Sequence, residues 1–276
     1  MEKYIDLHTH SVFSDGAMTP TELVKHAAEN NIAAISLTDH DGIGGVAEAM
    51  EAGEKYGVEV VPGIEFSAQS ATETHILAYY IDLENKKLLE ALKGILEVRL
   101  FRNKETARKL QEAGFPITYE DALEIAPNGI VGRAHFARIM ATRGYTASVK
   151  EAFDKYLSNG RPCYCSQQLL TPVECVRLIK DIGGKAFLAH LHLTRLDDEA
   201  IKKFVTELRE AGLDGIEGYY SEYTPEMQDK YQKLAADMGL KISGGTDFHG
   251  AMKPHISIGT GLGNLKIPYS VLENIK

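Results

Sequence analysis

The chain has 276 residues, of which 44% are hydrophobic and 25% charged, and its formal net charge at pH 7 is −9. This length and composition are typical of one large α/β domain, or of such a domain with an insertion. The acidic balance argues against a broad surface for long nucleic acid, which requires a basic face. It is compatible with a small phosphorylated substrate, because bound metal ions supply local positive charge.

The spacing of the cysteines and the length of the apolar runs bear on where in the cell the protein works. We find no basic leader followed by an apolar segment, and no apolar run approaches the ~20 residues of a membrane span, so we expect a cytoplasmic protein. Cys163, Cys165 and Cys175 have no disulfide-framework spacing, which suits a reducing environment. Cys163 and Cys165 lack a second pair for metal binding, and we interpret them as ordinary loop or core thiols.

The first predicted strand carries a histidine pair. Side chains alternate along a strand, so Asp6, His8 and His10 share one face. The two imidazoles lie about 6–7 Å apart along that face and can bind one divalent ion. Asp15 follows in a glycine-containing turn and can add an oxygen ligand. A His-x-His pair alone is weak evidence for a metal.

Helices and strands then alternate. The sequence Thr-Pro-Thr-Glu at 19–22 predicts a capped helix start. The apolar run 32–37 predicts a buried parallel strand that leads into His40. A helix at 44–56 and a strand at 58–66 follow, with Glu65 near the end of that strand. Active sites of parallel barrels lie at the carboxyl ends of the strands, which is where these side chains are predicted.

A fourth strand, 75–81, reverses this pattern. The linker between Glu65 and His75 is too short for a helical crossover, so the two strands must pair antiparallel. His75 opens its strand and therefore returns to the same rim as Glu65. We expect an irregular barrel at this point.

Between about 85 and 168 the sequence predicts helices, at 88–114, 119–123, 133–144 and 149–157. We expect residues 85–168 to form a helical insertion over the barrel mouth, and residues 1–84 and 169–276 to form the barrel. Arg133 and His135 fall in the first turn of one of these helices, a position typical of a phosphate site. A solvated arginine and a packed histidine would explain the same pattern.

The alternation resumes after the insertion. A second capping pattern, Thr-Pro-Val-Glu at 171–174, opens a helix. The strands predicted at 185–190, 213–217 and 240–249 end in His190, in Glu217, and in Asp247 with His249. Helices at 198–211 and 225–238 separate them, and we interpret 253–276 as packing and closure.

The rim thus collects many potential metal ligands. Mixed histidine and carboxylate ligation suits Zn²⁺, Mn²⁺ or Fe²⁺ better than Ca²⁺ or Mg²⁺. A single catalytic zinc needs only three protein ligands, so this number of candidates implies two or three ions, as in phosphoryl transfer. We interpret His26, His192 and His255 as surface or packing residues. The rim residues are His8, His10, Asp15, His40, Glu65, His75, His190, Glu217, Asp247 and His249.

Several motifs occur in one order along nearly the whole chain. They are Asp-Leu-His-Thr-His-Ser at 6–11 with Ser-Asp-Gly at 14–16, Thr-Asp-His-Asp at 38–41, Glu65, Ala-His at 189–190, and Thr-Asp-Phe-His-Gly at 246–250. Together they resemble the four motifs of the PHP (polymerase and histidinol phosphatase) superfamily. Gly-Arg-Ala-His-Phe-Ala at 132–137 and Ile-Glu-Gly-Tyr-Tyr at 216–220 further resemble its TrpH-like branch. That branch contains metal-dependent phosphoesterases, including 3′,5′-nucleotide bisphosphate phosphatases and 5′-end exonucleases on short RNA.

The resemblance implies a distorted (β/α)7 barrel with a trinuclear site. By this resemblance, His8, His10, Glu65 and Asp247 surround a first ion. Glu65 also bridges to a second ion bound by His75 and His190, and Asp15, His40 and His249 hold a third. It also implies that Arg133, His135 and Glu217 contact the substrate. The residues expected to act in catalysis are His8, His10, Asp15, His40, Glu65, Asp247 and His249.

Two positions depart from the family pattern. Leu191 follows His190 where the family usually has proline, which affects the local loop rather than the ligand. The segment 164–168 lacks a basic residue that relatives often carry, which bears on the identity of the substrate.

The resulting hypothesis is a phosphatase for a small nucleotide, most plausibly a nucleoside 3′,5′-bisphosphate, in which a metal-activated hydroxide attacks phosphorus. We expect Arg133 and His135 to clamp a phosphate, and we expect a monomer or small homo-oligomer. The alternatives are a histidinol-phosphate phosphatase, a 5′-3′ exonuclease on short RNA, and a metal-binding module without activity. The residues leave the acid that protonates the leaving group unassigned.

Overall fold

A computed structural model describes residues 2–126, 130–165 and 170–276. Its seven strands form one sheet in chain order. The first three strands are parallel, the fourth is antiparallel to both of its neighbours, and the last three are parallel again. The predicted reversal at the fourth strand is therefore confirmed. The strands are β1 (Tyr4–Thr9), β2 (Ile32–Leu37), β3 (Glu59–Ser67), β4 (His75–Tyr79), β5 (Lys185–Leu188), β6 (Gly215–Tyr220) and β7 (Lys241–Gly245).

The two edges of the sheet meet and nearly close a barrel. Just beyond β7, the amide of Phe248 donates to the carbonyl oxygen of His8 over 3.3 Å, and the amide of His10 donates to the carbonyl oxygen of Phe248 over 2.9 Å. Nearer the start of β1, the amide of Ile5 donates to the carbonyl oxygen of Ile267 over 3.0 Å. The C-terminal segment therefore pairs with β1 at this end. This seven-strand barrel confirms the predicted fold class.

Ten α-helices lie within the described residues. The predicted capping boxes at the starts of the first and seventh helices are both formed, by Thr19 with Glu22 and by Thr171 with Glu174. No helix in the described ranges is both long and apolar enough to cross a lipid bilayer. The helices are α1 (Pro20–Glu29), α2 (Val46–Tyr56), α3 (Lys86–Glu112), α4 (Tyr119–Glu124), α5 (Arg133–Thr142), α6 (Val149–Ala152), α7 (Pro172–Asp181), α8 (Asp198–Glu210), α9 (Pro225–Asp237) and α10 (Ser270–Ile275).

Helices α3 to α6 stand between β4 and β5. The first half of α3 packs on the barrel through Leu88 and Leu92, which join the core of β3 and β4. Its second half, with Leu110, joins a separate apolar cluster with Phe136 and Met140 of α5. This separate core supports our proposal that 85–168 is an insertion. Its C-terminal boundary at 168 lies outside the described residues.

Three predicted elements were wrong in detail. β6 extends to Tyr220, so Glu217 lies within the strand, beside an irregularity in its pairing with β7. β7 ends at Gly245, because the backbone of Asp247 has a left-handed φ of 56° that a strand cannot contain. The helix expected at 149–157 is α-helical to Ala152 and then becomes a π-helix, Phe153–Leu157. The irregular segment after β7 is the more important difference, since it carries two candidate ligands.

The close approach of β7 to β1 gives a stability prediction. A Cβ on Gly245 would lie 2.3 Å from the Cβ and 2.4 Å from the backbone nitrogen of His8. We expect Gly245→Ala to lower the free energy of unfolding by about 1–3 kcal/mol, because the strands must separate. Gly94 is the matched control: it lies in α3 with open space around it, so Gly94→Ala should stabilise by about 0.5–1 kcal/mol. Urea denaturation measures both, and equal effects of the two substitutions would contradict the prediction.

Candidate metal centre

The barrel rim brings all nine predicted metal ligands into one cluster. His8 comes from β1, Glu65 from β3 and His75 from the start of β4, whereas His190 and Asp247 follow the ends of β5 and β7. His190 and Asp247 have positive φ values of 26° and 56°. Non-glycine residues rarely adopt this conformation, which costs about 1–3 kcal/mol and is found most often at functional sites.

Ligand atoms of His8, His10 and Glu65 lie within 4.8 Å of one another, and Asp247 lies beside both histidines. His8 Nε2 and His10 Nε2 each lie 3.3 Å from Glu65 Oε2. Asp247 Oδ1 lies 3.1 Å from His10 Nε2 and 3.6 Å from His8 Nε2. Four ligands at tetrahedral bond lengths of about 2.1 Å are separated by about 3.4 Å. The group therefore matches the site expected for a first ion.

The second oxygen of Glu65 faces another pair of histidines. Glu65 Oε1 lies 2.8 Å from His75 Nδ1 and 3.1 Å from His190 Nε2. His40 Nδ1 lies 3.0 Å from Glu65 Oε2, and ligand atoms of His40, Glu65 and His75 lie within 4.8 Å of one another. Glu65 thus reaches the histidines expected to hold a second ion.

Asp15 is the centre of a third group. Its Oδ1 lies 3.2 Å from His249 Nε2 and 3.9 Å from both His40 Nε2 and His10 Nδ1. His249 Nδ1 lies 2.8 Å from the carbonyl oxygen of Asp247 and donates to it, which leaves the Nε2 lone pair directed at Asp15.

Unpartnered buried atoms test whether these residues fit divalent ions. Buried polar atoms nearly always have a hydrogen-bond partner, and leaving one without costs about 1–3 kcal/mol. Six atoms of the candidate ligands have none within the described part of the chain, although other ligand atoms are close. Nitrogen and oxygen donors without thiolates suit Zn²⁺, Mn²⁺ or Fe²⁺, so the residues fit. The atoms are His8 Nε2, His10 Nε2, Asp15 Oδ1, His40 Nδ1, Glu65 Oε2 and His190 Nδ1.

Glu217 lies behind the cluster and not at its mouth. It is fully buried; its Oε1 accepts from His8 Nδ1 over 2.9 Å, and its Oε2 accepts from the amide of His190 over 2.6 Å. The expected contact of Glu217 with substrate does not fit this placement, because both carboxylate oxygens are engaged and none faces solvent. We propose instead that it orients His8 so that Nε2 faces the ion site.

Two further buried carboxylates anchor the loops that carry the ligands, a role that the sequence analysis did not assign. Asp39 accepts hydrogen bonds from the amide and hydroxyl of Ser11 and from the hydroxyl of Ser14, at 2.6–2.8 Å. Asp6 accepts from the amide and hydroxyl of Thr246 at 2.9 and 2.6 Å. These carboxylates fix the loops before Asp15 and Asp247 respectively.

The electrostatics differ between neighbouring histidines. Burial, together with the nearby His249, lowers the pKa of His10 to about 3. Burial also acts to lower the pKa of His40, but the carboxylates of Glu65 and Asp15 raise it to about 9. The centre therefore combines one histidine kept neutral by burial and neighbouring imidazoles with another whose protonated form is favoured by carboxylates.

The insertion places arginines beside the metal ligands. Arg133 stacks on Tyr164, with its guanidinium carbon 5.4 Å from the ring centroid, and Nη1 lies 3.5 Å from the carbonyl oxygen of Leu157. His135 Nδ1 accepts from the amide of Gly132 over 3.0 Å. Arg99 of α3 forms a buried ion pair with Asp41, the residue after His40. The insertion therefore reaches the rim next to a metal ligand.

Arg102 completes this group, and we name Arg99, Arg102 and Arg133 the guanidinium cluster. Arg102 is buried, and within the described part of the chain its hydrogen bonds run to Asn103 Oδ1, at 2.9 and 3.1 Å. Burial lowers its pKa well below the usual range, and so do Arg99 and Arg133. Sequence reasoning missed Arg99 and Arg102, although they continue the buried periodicity of α3 through Leu88, Leu92 and Ile95.

The geometry defines a class of protein: a barrel with clustered groups that could bind metal, an arrangement typical of enzymes that hydrolyse phosphoesters. A family model described as "PHP domain" matches residues 6–161. The chain belongs to the PHP domain family, as the motifs indicated, and it is a metal-dependent phosphoesterase.

Two similar proteins have names that denote phosphoester hydrolysis, and a third is a solved structure. A 3′,5′-nucleoside bisphosphate phosphatase of Chromobacterium violaceum is 35% identical over 89% of this chain and 87% of its own. The 5′-3′ exoribonuclease Rnm of Escherichia coli is 33% identical over 88% of this chain and 84% of its own. A solved amidohydrolase structure from Chromobacterium violaceum, with bound sulfate and no metal, has a TM-score of 0.88 at 32% identity and covers 99% of this chain and 97% of that one.

Metal binding should stabilise the fold. Adding Mn²⁺ to chelator-treated protein should raise Tm, because ions relieve the unpartnered ligand atoms; free ion at 100 times Kd adds about 2.7 kcal/mol. His10→Ala should reduce this rise, whereas His255→Ala, at an exposed position outside the cluster, should leave it unchanged. Differential scanning fluorimetry with Mn²⁺, Fe²⁺ and Zn²⁺ measures the effect. A Tm that none of the three ions raises would contradict the prediction.

Proposed function

We propose that the protein removes a phosphate from nucleoside 3′,5′-bisphosphates. The observation that carries the proposal is that the metal centre and the guanidinium cluster are adjacent in the fold. His40 belongs to the metal centre, and the next residue, Asp41, holds Arg99 of the guanidinium cluster. A substrate with two phosphates can place one at the metal centre and the other at the guanidinium cluster.

Charge balance supports a second anion. Among the described residues, Asp41 forms the ion pair with the guanidinium cluster. The exposed Glu73 also interacts electrostatically with Arg133, so three arginines face two carboxylates. A buried charge without a counter-charge costs several kcal/mol. A phosphate beside Arg102 and Arg133 would offset that cost and accept bidentate hydrogen bonds. A single-phosphate substrate would leave the cluster unbalanced.

Separate sets of residues bind the metal ions and the phosphate that does not react. Divalent ions, when bound, activate water and neutralise charge on the reacting phosphate. The carboxylates Asp15, Glu65 and Asp247 and the six neighbouring histidines hold those ions. Arg102 and Arg133 bind the phosphate that does not react and fix the nucleotide relative to the metal centre.

His135 has a defined tautomer. Its Nδ1 accepts from the amide of Gly132, so in the neutral ring the proton is on Nε2. Burial lowers the pKa of His135 below its usual value, which favours this neutral form. His135 thereby serves as a hydrogen-bond donor to substrate phosphate.

The same geometry supports a second candidate, the removal of nucleotides from the 5′ end of short RNA. The relative from Escherichia coli is named a 5′-3′ exoribonuclease, and a terminal 5′-phosphate would fit the guanidinium cluster equally well. The net charge of −9 favours the smaller substrate. We also propose three metal ions, a monomer or small homo-oligomer, and a cytoplasmic location.

Charge removal in the guanidinium cluster tests the proposal. Arg102→Met and Arg133→Met should each lower kcat/KM for adenosine 3′,5′-bisphosphate about 10-fold to 100-fold, the value of one hydrogen bond to a charged group. The effect on adenosine 3′-monophosphate should be smaller, because that substrate lacks the second phosphate. Phosphate release under steady-state conditions measures both substrates.

Arg138→Met is the matched control, because Arg138 lies on the same helix, α5, but is exposed. Equal losses on the bisphosphate and the monophosphate would contradict a second-phosphate site. Faster turnover of histidinol phosphate would reject the nucleotide assignment, and faster turnover of 5′-phosphorylated dinucleotides would favour the RNA candidate.

A further inference from the structure

The two oxygens of Asp247 have separate environments. Oδ1 faces the metal centre, 3.1 Å from His10 Nε2. Oδ2 faces away and accepts from the Tyr220 hydroxyl over 2.9 Å and from Lys253 Nζ over 2.6 Å. Glu65 differs, since both of its oxygens face imidazoles. Asp247 therefore presents a single oxygen to an ion.

Tyr220 is held firmly enough to direct this carboxylate. It is 3% exposed at the end of β6. Its ring centroid lies 5.6 Å from that of His190 and 5.3 Å from that of Tyr223, and Tyr223 packs against Tyr231 at 4.9 Å in a tilted arrangement. Aromatic packing on several sides leaves the hydroxyl little freedom, so it donates from a fixed point.

Lys253 approaches the same oxygen from the other side. A short 3-10 helix, Gly250–Met252, begins directly after His249 and turns the chain back so that Lys253 reaches Asp247. The Lys253 side chain is 38% exposed, so its amine stands at the edge of the site. It brings a positive charge to a rim that carries the carboxylates of Asp15, Glu65 and Asp247.

The backbone explains why Asp247 needs such support. Its φ of 56° is unfavourable for a non-glycine residue, and the residue lies outside any strand. A carboxylate on a segment outside the regular strands can bind an ion through one oxygen or through both. Because Tyr220 and Lys253 both donate to Oδ2, they prevent binding of the ion through both oxygens and fix the direction of Oδ1.

We propose that Lys253 and Tyr220 are positioning residues that hold Asp247 as a single-oxygen ligand of the ion shared with His8 and His10. The inference rests on the metal centre of the proposed function and is independent of which phosphoester is cleaved. Residues that orient metal ligands typically contribute about 10-fold to 100-fold in metal affinity.

Metal binding to the full-length protein tests the proposal directly. Lys253→Met and Tyr220→Phe should each weaken Mn²⁺ binding at one site about 10-fold to 100-fold, seen by isothermal titration of chelator-treated protein. After dialysis against a weak chelator, mass spectrometry should show less retained Mn²⁺ per chain than in the unsubstituted protein. Lys253→Arg, which keeps the charge, should recover most of the affinity.

Lys266→Met is the matched control, because Lys266 is exposed and lies outside the site. Unchanged Mn²⁺ affinity in both test variants would overturn the proposal, and so would a lower Tm of the metal-free protein with normal affinity, which indicates a purely structural role. An increase in KM at normal Mn²⁺ affinity would also overturn it, because Lys253 would then contact substrate. Absence of phosphatase activity in every protein would reject the proposed function and leave the metal-binding result valid.

Discussion

The carboxylate of Glu65 is the interaction on which the rest of this site depends. His8, His10 and His40 lie within 3.3 Å of its Oε2, and His75 and His190 within 3.1 Å of its Oε1. Five imidazoles around one fully buried carboxylate cannot all form hydrogen bonds with it, as the unpartnered nitrogens show. Divalent ions satisfy this geometry because each ion accepts several lone pairs at once. The reversed strand β4 is the reason that His75 reaches the group at all.

The scaffold maintains this crowding at a cost in local stability. His190 and Asp247 have left-handed backbone conformations, and burial together with neighbouring imidazoles lowers the pKa of His10. Buried carboxylates outside the cluster offset part of the cost: Asp39 fixes the loop before Asp15, and Asp6 fixes the segment before Asp247. Such charge-assisted hydrogen bonds are worth about 1.5–3 kcal/mol each. The motif residues thus include two groups, those that face the ions and those that hold the first group in place.

The sequence predicted the barrel and the convergence of the ligands because both follow from local patterns. Strand ends rich in histidine and acid indicate a common rim, and the short linker before His75 requires an antiparallel turn. Residues whose roles depend on tertiary contacts escaped prediction. Glu217 has the chemistry of a rim ligand, yet only the position of β1 shows that it lies behind His8. Lys253 lies in a segment without periodicity, and Arg99 and Arg102 have the same residue type as the solvated arginines of a long surface helix.

The buried arginines of α3 show how a substrate preference can be built into a fold. A helix that packs on the barrel through Leu88, Leu92 and Ile95 would bury another apolar residue at the next inward position. Arginine at that position packs less well than an apolar residue, and it introduces a buried charge that requires a counter-charge. Asp41 balances Arg99, and Asn103 supplies Arg102 with a neutral acceptor, which leaves positive charge uncompensated. Because a neutral residue would stabilise the free protein better, the arrangement favours a role in binding an anion, and its position next to His40 directs that anion to the metal centre.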